Sequence, residues 1–294
     1  MKGSTEIGTR RSGEISRDTT LCISLAGRPT NIGTRFHNYL YRELGIDFVY
    51  KAFTTTDIVG AISGVRALGI RGCSVSMPFK QDVIGLVDEL EPSAASIGAV
   101  NTIVNTTGRL VGSNTDQIAV AALLDEHRIP PTSTVAIAGS GGMAAAVASA
   151  LVEHGVNDAL VVARNKRTGR DLAARFGFEW APELTGAGAD VLVNATPIGM
   201  AGDSPGIADR AGPGDAASTA FPFPVDAIDG AATVFDVVAF PSDTPMIRRA
   251  SARSIPVITG AEVIARQAAE QFERYTGVRP GPDLVARASE WSRS

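Results

Sequence analysis

The chain has 294 residues and a formal net charge of −4, with 44% hydrophobic and 20% charged residues. These values are typical of a globular protein long enough for two ordinary domains, and they exclude the clustered basic excess of a nucleic-acid-binding protein. The chain has two cysteines, three histidines without metal-ligand spacing and no apolar run of about 20 residues, so we expect free buried thiols at Cys22 and Cys73, no metal site and no membrane span.

The N-terminal residues 1–18 are polar and lack the apolar segment of a secretory signal, so we expect a disordered tail and a cytoplasmic protein. From residue 20 onward, short β-like runs alternate with helical patterns, which predicts an α/β fold with a mostly parallel sheet. Strands are predicted over 20–27, 47–53 and 70–77, and helices over 34–45 and 55–69.

A further helix is expected after Pro78, because the apolar residues between Val83 and Leu90 follow one side of a helical pattern. Ser76 is the expected N-cap of this helix, so its hydroxyl would be shared between the backbone and any ligand. A hairpin with its turn at Thr107-Gly108 is predicted next, over 99–116.

A second α/β pattern begins after a helix at 117–127 and a Pro-rich joint at 129–133. We therefore expect two domains, one from 19–116 with the C-terminal helices 261–290, and one from 117–260. The predicted elements of the second pattern are strand, glycine turn and helix over 134–155, strands at 158–165, 232–240 and 255–260, a strand with its loop at 189–200, helices at 166–177, 244–254 and 261–277, and a loop at 201–230.

The segment "VAIAGSGGMAAAV" carries glycines at a predicted strand-to-helix turn. Gly139 would form the tight turn, while Gly141 and Gly142 would let a pyrophosphate approach the backbone at the helix N-terminus. The pattern alone also fits a plain βα turn. Its context, with a strand before it and another about 20 residues further on, favours a dinucleotide site.

The end of that next strand indicates which dinucleotide is bound. An NAD site expects an acidic residue there, whereas this chain has Arg164, Asn165, Lys166 and Arg167. A guanidinium can hold a 2′-phosphate with two hydrogen bonds. A solvated basic loop is the alternative, and we favour NADP.

Taken together, seven motifs in this order resemble the shikimate dehydrogenase family over nearly the whole ordered length. The segments that match are SVSMPFK at 74–80, GAVNT at 98–102, NTD at 114–116, GSGG at 139–142, NATPIGM at 194–200, Asp236 with Pro241, Thr244 and Pro245, and the helix from Gly260 to Gly277 with Gln267, Ala268, Ala269 and Phe272.

The resemblance implies an N-terminal α/β substrate domain, a C-terminal Rossmann-type domain and a role for each matching residue. Lys80 and Asp116 match the catalytic pair in the cleft between domains, and Ser76, Asn101 and Gln267 match substrate-binding residues. The matching cofactor-binding residues are Gly139, Ser140, Gly141, Gly142, Met143, Arg164, Asn165, Lys166, Asn194, Ala195, Thr196, Val237 and Gly260.

Two departures from the family pattern fall on the substrate side. Where the family carries two serines for the substrate carboxylate, this chain has Asn31 and Gly33, followed by Thr34 at the proline position. The tyrosine of a later motif is Ala239. Asn31 and Thr34 then become the expected substrate-binding residues. These differences indicate the shikimate dehydrogenase-like branch, whose substrate need not be shikimate.

Lys80 alone would be interpreted as a solvated lysine, and Asp116 as a helix N-cap. Reduction of a ketone, however, leaves an alkoxide that a cationic lysine can stabilise and protonate. Asp116 would favour the charged lysine and desolvation the neutral one, and the sequence leaves this balance open.

We therefore expect an NADP-dependent oxidoreductase of aromatic amino acid biosynthesis. It would interconvert a shikimate-like hydroxy acid and its 3-keto form, with weak activity on shikimate, as a monomer or homodimer. The alternatives are a dehydrogenase of another small cyclic polyol or hydroxy acid, and an NADP(H)-binding regulatory protein.

Overall fold

In a computed structural model of the chain, residues 15–185, 188–200 and 221–293 are described. The chain forms two compact units that divide between Thr115 and Asp116 and again between Ile264 and Ala265. The first unit therefore combines the N-terminal part with the C-terminal helices, and the second is continuous. The predicted disordered tail falls mostly on residues 1–14, which lie outside the described residues.

Strands and helices alternate along the described chain. The strands are β1 Thr20–Ala26, β2 Phe48–Thr54, β3 Gly72–Val75, β4 Glu89–Leu90, β5 Thr102–Thr106, β6 Arg109–Ser113, β7 Val135–Ala138, β8 Ala159–Val162, β9 Glu179–Ala181, β10 Val191–Asn194, β11 Thr233–Asp236 and β12 Val257–Thr259. The helices are α1 Ile32–Glu43, α2 Ile58–Ala67, α3 Pro92–Ile97, α4 Thr115–Glu126, α5 Gly142–Glu153, α6 Lys166–Phe176, α7 Val225–Gly230, α8 Pro245–Ala252, α9 Gly260–Thr276 and α10 Pro282–Arg293.

The sheet of the first unit has the strand order β2-β1-β3-β5-β6-β4. The β1–β2, β1–β3 and β4–β6 pairs are parallel, and the predicted hairpin β5–β6 is antiparallel. Its turn uses Thr107 and Gly108, both with positive φ. The expected α/β class with a mostly parallel sheet is confirmed.

The two faces of this sheet bury different cores, because successive side chains on a strand point to opposite faces. Ile23 joins a cluster with Ile62 and Val65 of α2. Its neighbour Cys22 joins the opposite cluster, with Phe36 of α1 and Phe272 of α9. The C-terminal helices thus complete the core of the N-terminal unit.

The predicted helix after Pro78 is wrong. Residues Asp82–Leu86 form a 3-10 helix, after which the chain joins the sheet edge as β4. Pairing with the hairpin competes with helix formation, since Asp88 N donates to Leu110 O at 2.9 Å and the Asp88 carboxylate accepts from Leu110 N at 2.7 Å. The apolar residues with helical spacing therefore lie in a short 3-10 helix and a strand instead of an α-helix.

The sheet of the second unit is parallel throughout its described pairs, with the order β12-β11-β10-β7-β8-β9. Counted from β7, this is the 3-2-1-4-5-6 order of a Rossmann fold, and its topological switch point lies between β7 and β10. The expected Rossmann-type domain is confirmed.

Two elements of this unit were missing from the sequence prediction. β9 has three residues, and such a short strand leaves no readable alternation. α7 falls at 225–230, inside the segment predicted to be a loop, while residues 201–220 lie outside the described residues. Over the described ranges, no helix is long and apolar enough to span a membrane, and no group of three or more His, Cys, Asp or Glu could hold a metal ion.

Candidate functional site

The predicted cofactor residues follow five parallel strands of the second unit. Gly139 follows β7, Arg164 comes shortly after β8, Ala195 follows β10, Val237 follows β11 and Gly260 follows β12. The carboxyl ends of parallel strands lie at one edge of a sheet, so the fold gathers these positions at a single edge. In open α/β sheets this edge is where ligands bind, at the switch point between strands.

The glycine loop occupies the switch point. Gly139 has a φ of 114°, and a Cβ there would lie 2.9 Å from Ala195 O, so this position has no room for a side chain. A Cβ at Gly141 or Gly142 would meet no described atom within 4 Å. Their backbone therefore lies open at the start of α5, where helix N–H groups are unpaired and favour an anion. The geometry fits a pyrophosphate.

The basic segment after β8 is exposed. Arg164 makes no hydrogen bond or salt bridge within the described chain, and Asn165 caps α6 by accepting from Thr168 N at 3.2 Å. Lys166 begins α6 and Ser140 Oγ lies 2.7 Å from Thr168 Oγ1. An unpaired guanidinium on a segment that contacts the glycine loop through Thr168 is what a 2′-phosphate would require.

The side chain of Asn194 forms hydrogen bonds within the protein interior. Its amide nitrogen donates to Asp236 Oδ1 at 3.0 Å, and its side-chain oxygen accepts from Thr196 Oγ1 at 2.6 Å. Asp236 is fully buried and also accepts from Thr244 Oγ1 at 2.7 Å; burial raises the pKa of its carboxyl. The side chains of this network are occupied, so contact with a cofactor would fall to the backbone of Ala195 and Thr196.

Gly260 has a steric role. A Cβ at this position would overlap the backbone carbonyl of Val238. The first residue of α9 is thereby packed tightly against the loop after β11, which contains Val237. The half-buried Met143 lies in the first turn of α5.

Lys80 lies in the first unit, on a turn rather than on a helix. Two backbone hydrogen bonds hold this turn. Gly27 N, just after β1, donates to Met77 O at 3.1 Å, and Val100 N, just before β5, donates to Lys80 O at 2.7 Å. Phe79 is buried, while Lys80 is half-buried. The second bond places Lys80 beside the segment that contains Asn101.

Asn101 is held in a buried hydroxyl network. Its side-chain oxygen accepts from Thr102 Oγ1 at 2.8 Å and from Thr115 N at 2.8 Å. Asn101 is 1% exposed, yet its amide nitrogen has no hydrogen-bond partner among the described residues. A buried unpaired donor costs about 1–3 kcal/mol, so a ligand oxygen would relieve that cost.

Gln271 was missed by the sequence prediction. Its amide nitrogen donates to Thr102 Oγ1 at 2.9 Å and so supports the Asn101 network. The predicted Gln267 lies four residues earlier on α9 and is half-buried. The four-residue spacing, which places both glutamines on one face of the helix, was the available signal.

The start of α1 differs from a serine-bearing segment in its hydrogen-bond donors, and Gly33 and Thr34 lie in the first turn of the helix. Asn31 is exposed and precedes α1 without a side-chain capping bond, and the buried Thr34 Oγ1 has no described partner. A Cβ at Gly33 would lie 3.7 Å from Tyr50 Oη. Ser76 is exposed; its carbonyl accepts from Phe79 N at 3.0 Å and its hydroxyl caps no helix, contrary to the prediction.

Asp116 is the second residue of α4 and is 9% exposed. Because the helix begins at Thr115, Asp116 lies in its first turn rather than at the predicted N-cap. It directly follows the residue whose backbone N–H binds Asn101, and it is the first residue of the second unit.

The two cysteines are not candidates for a reactive site. Cys22 and Cys73 are free and buried, as predicted. Burial raises the pKa of Cys22 to about 12 and also raises that of Cys73, so neither thiol ionises near neutral pH.

The fold and the loops at the carboxyl edge define a two-domain α/β protein with a Rossmann-type dinucleotide-binding unit. A family model described as the shikimate dehydrogenase substrate binding domain matches residues 31–103. A shikimate dehydrogenase-like protein of Haemophilus influenzae is 49% identical over 280 residues, covering 95% of this chain and 99% of its own. The chain belongs to the shikimate dehydrogenase family.

Solved structures agree with this assignment. A shikimate 5-dehydrogenase-like protein has a TM-score of 0.89 and 48% identity, and the match covers 96% of this chain and 100% of that one. A shikimate 5-dehydrogenase from Thermus thermophilus, in complex with NADP(H) and shikimate, has a TM-score of 0.79 and 28% identity, covering 93% and 99%. The family is one of NADP-dependent oxidoreductases, so the predicted family, enzyme class and cofactor are confirmed at that level.

Proposed function

We propose that this chain is an NADP-dependent dehydrogenase that interconverts a shikimate-like hydroxy acid and its 3-keto form. The observation that carries the proposal is the hydrogen bond from Val100 N to Lys80 O, which brings a lysine next to Asn101. A group that can accept or donate a proton and an unpaired amide donor are therefore adjacent in one unit, as interconversion of a hydroxyl group and a ketone requires.

The carboxyl edge of the second unit would hold the cofactor. The backbone of Gly141 and Gly142 at the start of α5 would bind the pyrophosphate, and Arg164 with Lys166 would bind the 2′-phosphate. Bound NADP supplies or accepts the hydride. Asn194 and Asp236 would shape the neighbouring loop without touching the cofactor through their side chains.

Lys80 Nζ would move the proton. In the oxidising direction it accepts the proton of the substrate hydroxyl, and in the reducing direction it donates that proton to the oxygen of the forming alkoxide. Asp116 would orient the lysine side chain. Asn101, Ser76 and Gln267 would bind the hydroxyl groups of the substrate.

The anionic group of the substrate would meet an altered start of α1. Asn31 replaces one serine donor by an amide, Gly33 offers none, and Thr34 carries a buried hydroxyl that lacks a partner among the described residues. We therefore propose weak turnover of shikimate itself and a preference for a related hydroxy acid or cyclic polyol.

A substrate panel tests the proposal. NADP⁺ reduction is measured with a series of hydroxy acids and cyclic polyols on the wild type, on Lys80→Ala and on Lys51→Ala, a control at an exposed lysine of the same unit. At least one compound should be oxidised, with kcat lowered about 10²–10⁴-fold in Lys80→Ala only. Unchanged kcat in Lys80→Ala would refute the role of Lys80. NADP⁺ binding without turnover of any compound would favour the regulatory alternative.

A further inference from the structure

Arg164 is exposed, but the backbone on its N-terminal side is fixed by β9. Ala163 N donates to Ala181 O at 3.0 Å, and Trp180 Nε1 donates to Ala163 O at 3.1 Å. The indole packs against the first turns of α6, since a Cβ at Gly169 would overlap it. Ala163 thus has both of its backbone polar groups bound by a single short strand.

The backbone on the C-terminal side of Arg164 is fixed by α6. Asn165 caps the helix through its side chain, and its carbonyl accepts from Gly169 N at 2.9 Å. Thr168 then joins this helix start to the glycine loop, because its Oγ1 lies 2.7 Å from Ser140 Oγ. One hydroxyl pair therefore ties the pyrophosphate loop to the basic segment.

We propose that Trp180 and Thr168 are positioning residues that give this protein its preference for NADP over NAD. The inference rests on the proposed function, since it assumes that Arg164 reads the 2′-phosphate. Trp180 fixes the direction in which Arg164 leaves the sheet, and Thr168 fixes the distance between the basic segment and the glycine loop.

The physical reason is preorganisation. An exposed arginine loses conformational freedom when it binds a phosphate, and a fixed backbone on both sides reduces that loss. A bidentate guanidinium–phosphate contact also depends on geometry, so a small backbone shift weakens it. Neither effect touches NAD, which lacks the 2′-phosphate. The expected signature is therefore a change in the ratio of the two affinities.

Calorimetric titration of the full-length protein with NADP⁺, NAD⁺ and 2′,5′-ADP tests the proposal. Trp180→Phe keeps a ring beneath Arg170, whose guanidinium lies 5.0 Å above the indole, but removes the N–H donor. Thr168→Val removes the hydroxyl at nearly constant shape, and Thr168→Ser restores it. Each of the first two variants should bind NADP⁺ and 2′,5′-ADP about 2–10-fold more weakly, as for the loss of one hydrogen bond, with NAD⁺ affinity unchanged. Thr168→Ser should match the wild type.

The controls separate this inference from the proposed cofactor. Arg164→Ala reports whether the 2′-phosphate is read at all, and Trp291→Phe, on α10 of the other unit, controls for loss of a tryptophan. If Arg164→Ala loses NADP⁺ selectivity but Trp180→Phe and Thr168→Val do not, the cofactor assignment stands and the inference fails. Equal losses for NADP⁺ and NAD⁺ would also overturn it. A wild type without preference for NADP⁺ would overturn both.

Discussion

His37 is a fully buried histidine in an aromatic cluster of the first unit. Its ring stacks on Tyr50 at 4.4 Å between centroids and on Phe272 at 6.3 Å, and Phe36 meets its edge. Both ring nitrogens lack a described hydrogen-bond partner. Burial lowers the pKa of His37 to about 3, and the Gln271 side chain acts in the opposite direction.

This shift predicts a pH-dependent stability. Between about pH 6.5 and pH 3 the unfolded chain binds a proton at His37 that the folded chain does not, so stability is complete above that range and is lost as pH falls through it. The slope contributed by one group is at most about 1.4 kcal/mol per pH unit. His37→Phe should remove that slope and, above pH 7, leave the first unit at least as stable.

The measurement is urea unfolding from pH 8 to pH 4, followed by the fluorescence of Trp291 in a Trp180→Phe background. The chain has two tryptophans, so Trp291 then reports on the first unit alone. A difference between wild type and His37→Phe that stays constant across this pH range would contradict the prediction.

The preference for NADP is expected to depend on one residue, Arg164. Arg164→Ala should weaken NADP⁺ binding by about 1.5–3 kcal/mol, the range for a hydrogen bond to a charged group, while NAD⁺ affinity stays nearly constant. Direct titration with both nucleotides measures the difference. Arg175→Ala is a matched control, since Arg175 lies in the last turn of α6, away from the helix start. Equal losses for both nucleotides would show that Arg164 does not read the 2′-phosphate.

At the scale of elements, the start of α1 decides substrate affinity. Restoring two hydroxyl donors with Asn31→Ser/Gly33→Ser should lower the KM for shikimate and leave kcat nearly unchanged, because uniform binding changes KM alone. Each regained hydrogen bond to a charged carboxylate is worth about 1.5–3 kcal/mol. Steady-state kinetics on both proteins checks this. Efficient turnover of shikimate by the wild type at low KM would show that the altered start of α1 did not change the substrate.

At the scale of the whole molecule, the two units differ in chain continuity. The first unit needs residues from both ends of the chain, and Phe272 and Tyr275 of α9 are almost fully buried in its core. The second unit, 116–264, is one continuous segment. Loss of one large buried aromatic side chain costs about 3–5 kcal/mol, against a typical total stability of 5–15 kcal/mol.

A stop after Ile264 should therefore unfold the first unit and leave the second folded. Trp180 is the remaining tryptophan of that protein, so its urea transition should persist, and NADP⁺ should still bind. Far-UV circular dichroism should show a larger loss than the deleted helices explain. Loss of the Trp180 transition would contradict the independence of the second unit.

The sequence by itself determined the features that depend on local pattern. The alternation of elements, the hairpin turn at Thr107-Gly108 and the glycine loop are set by residues close in the chain, whose spacing and turn chemistry are readable. The same holds for the two-domain α/β class. The motif residues from Lys80 to Gln267 were identified through the resemblance to the family, and their roles are proposals.

Only the tertiary structure decided the features that depend on distant partners. Pairing with the hairpin overrode the helical pattern after Pro78, since hydrogen bonds to Leu110 replaced those of a helix. Packing also decided that the Asn194 amide donates to Asp236 and that the Gln271 amide donates to Thr102, which in turn binds Asn101. Trp180 reaches Ala163 from 17 residues away through a three-residue strand. Such contacts depend on strand order and burial, which local sequence patterns do not specify.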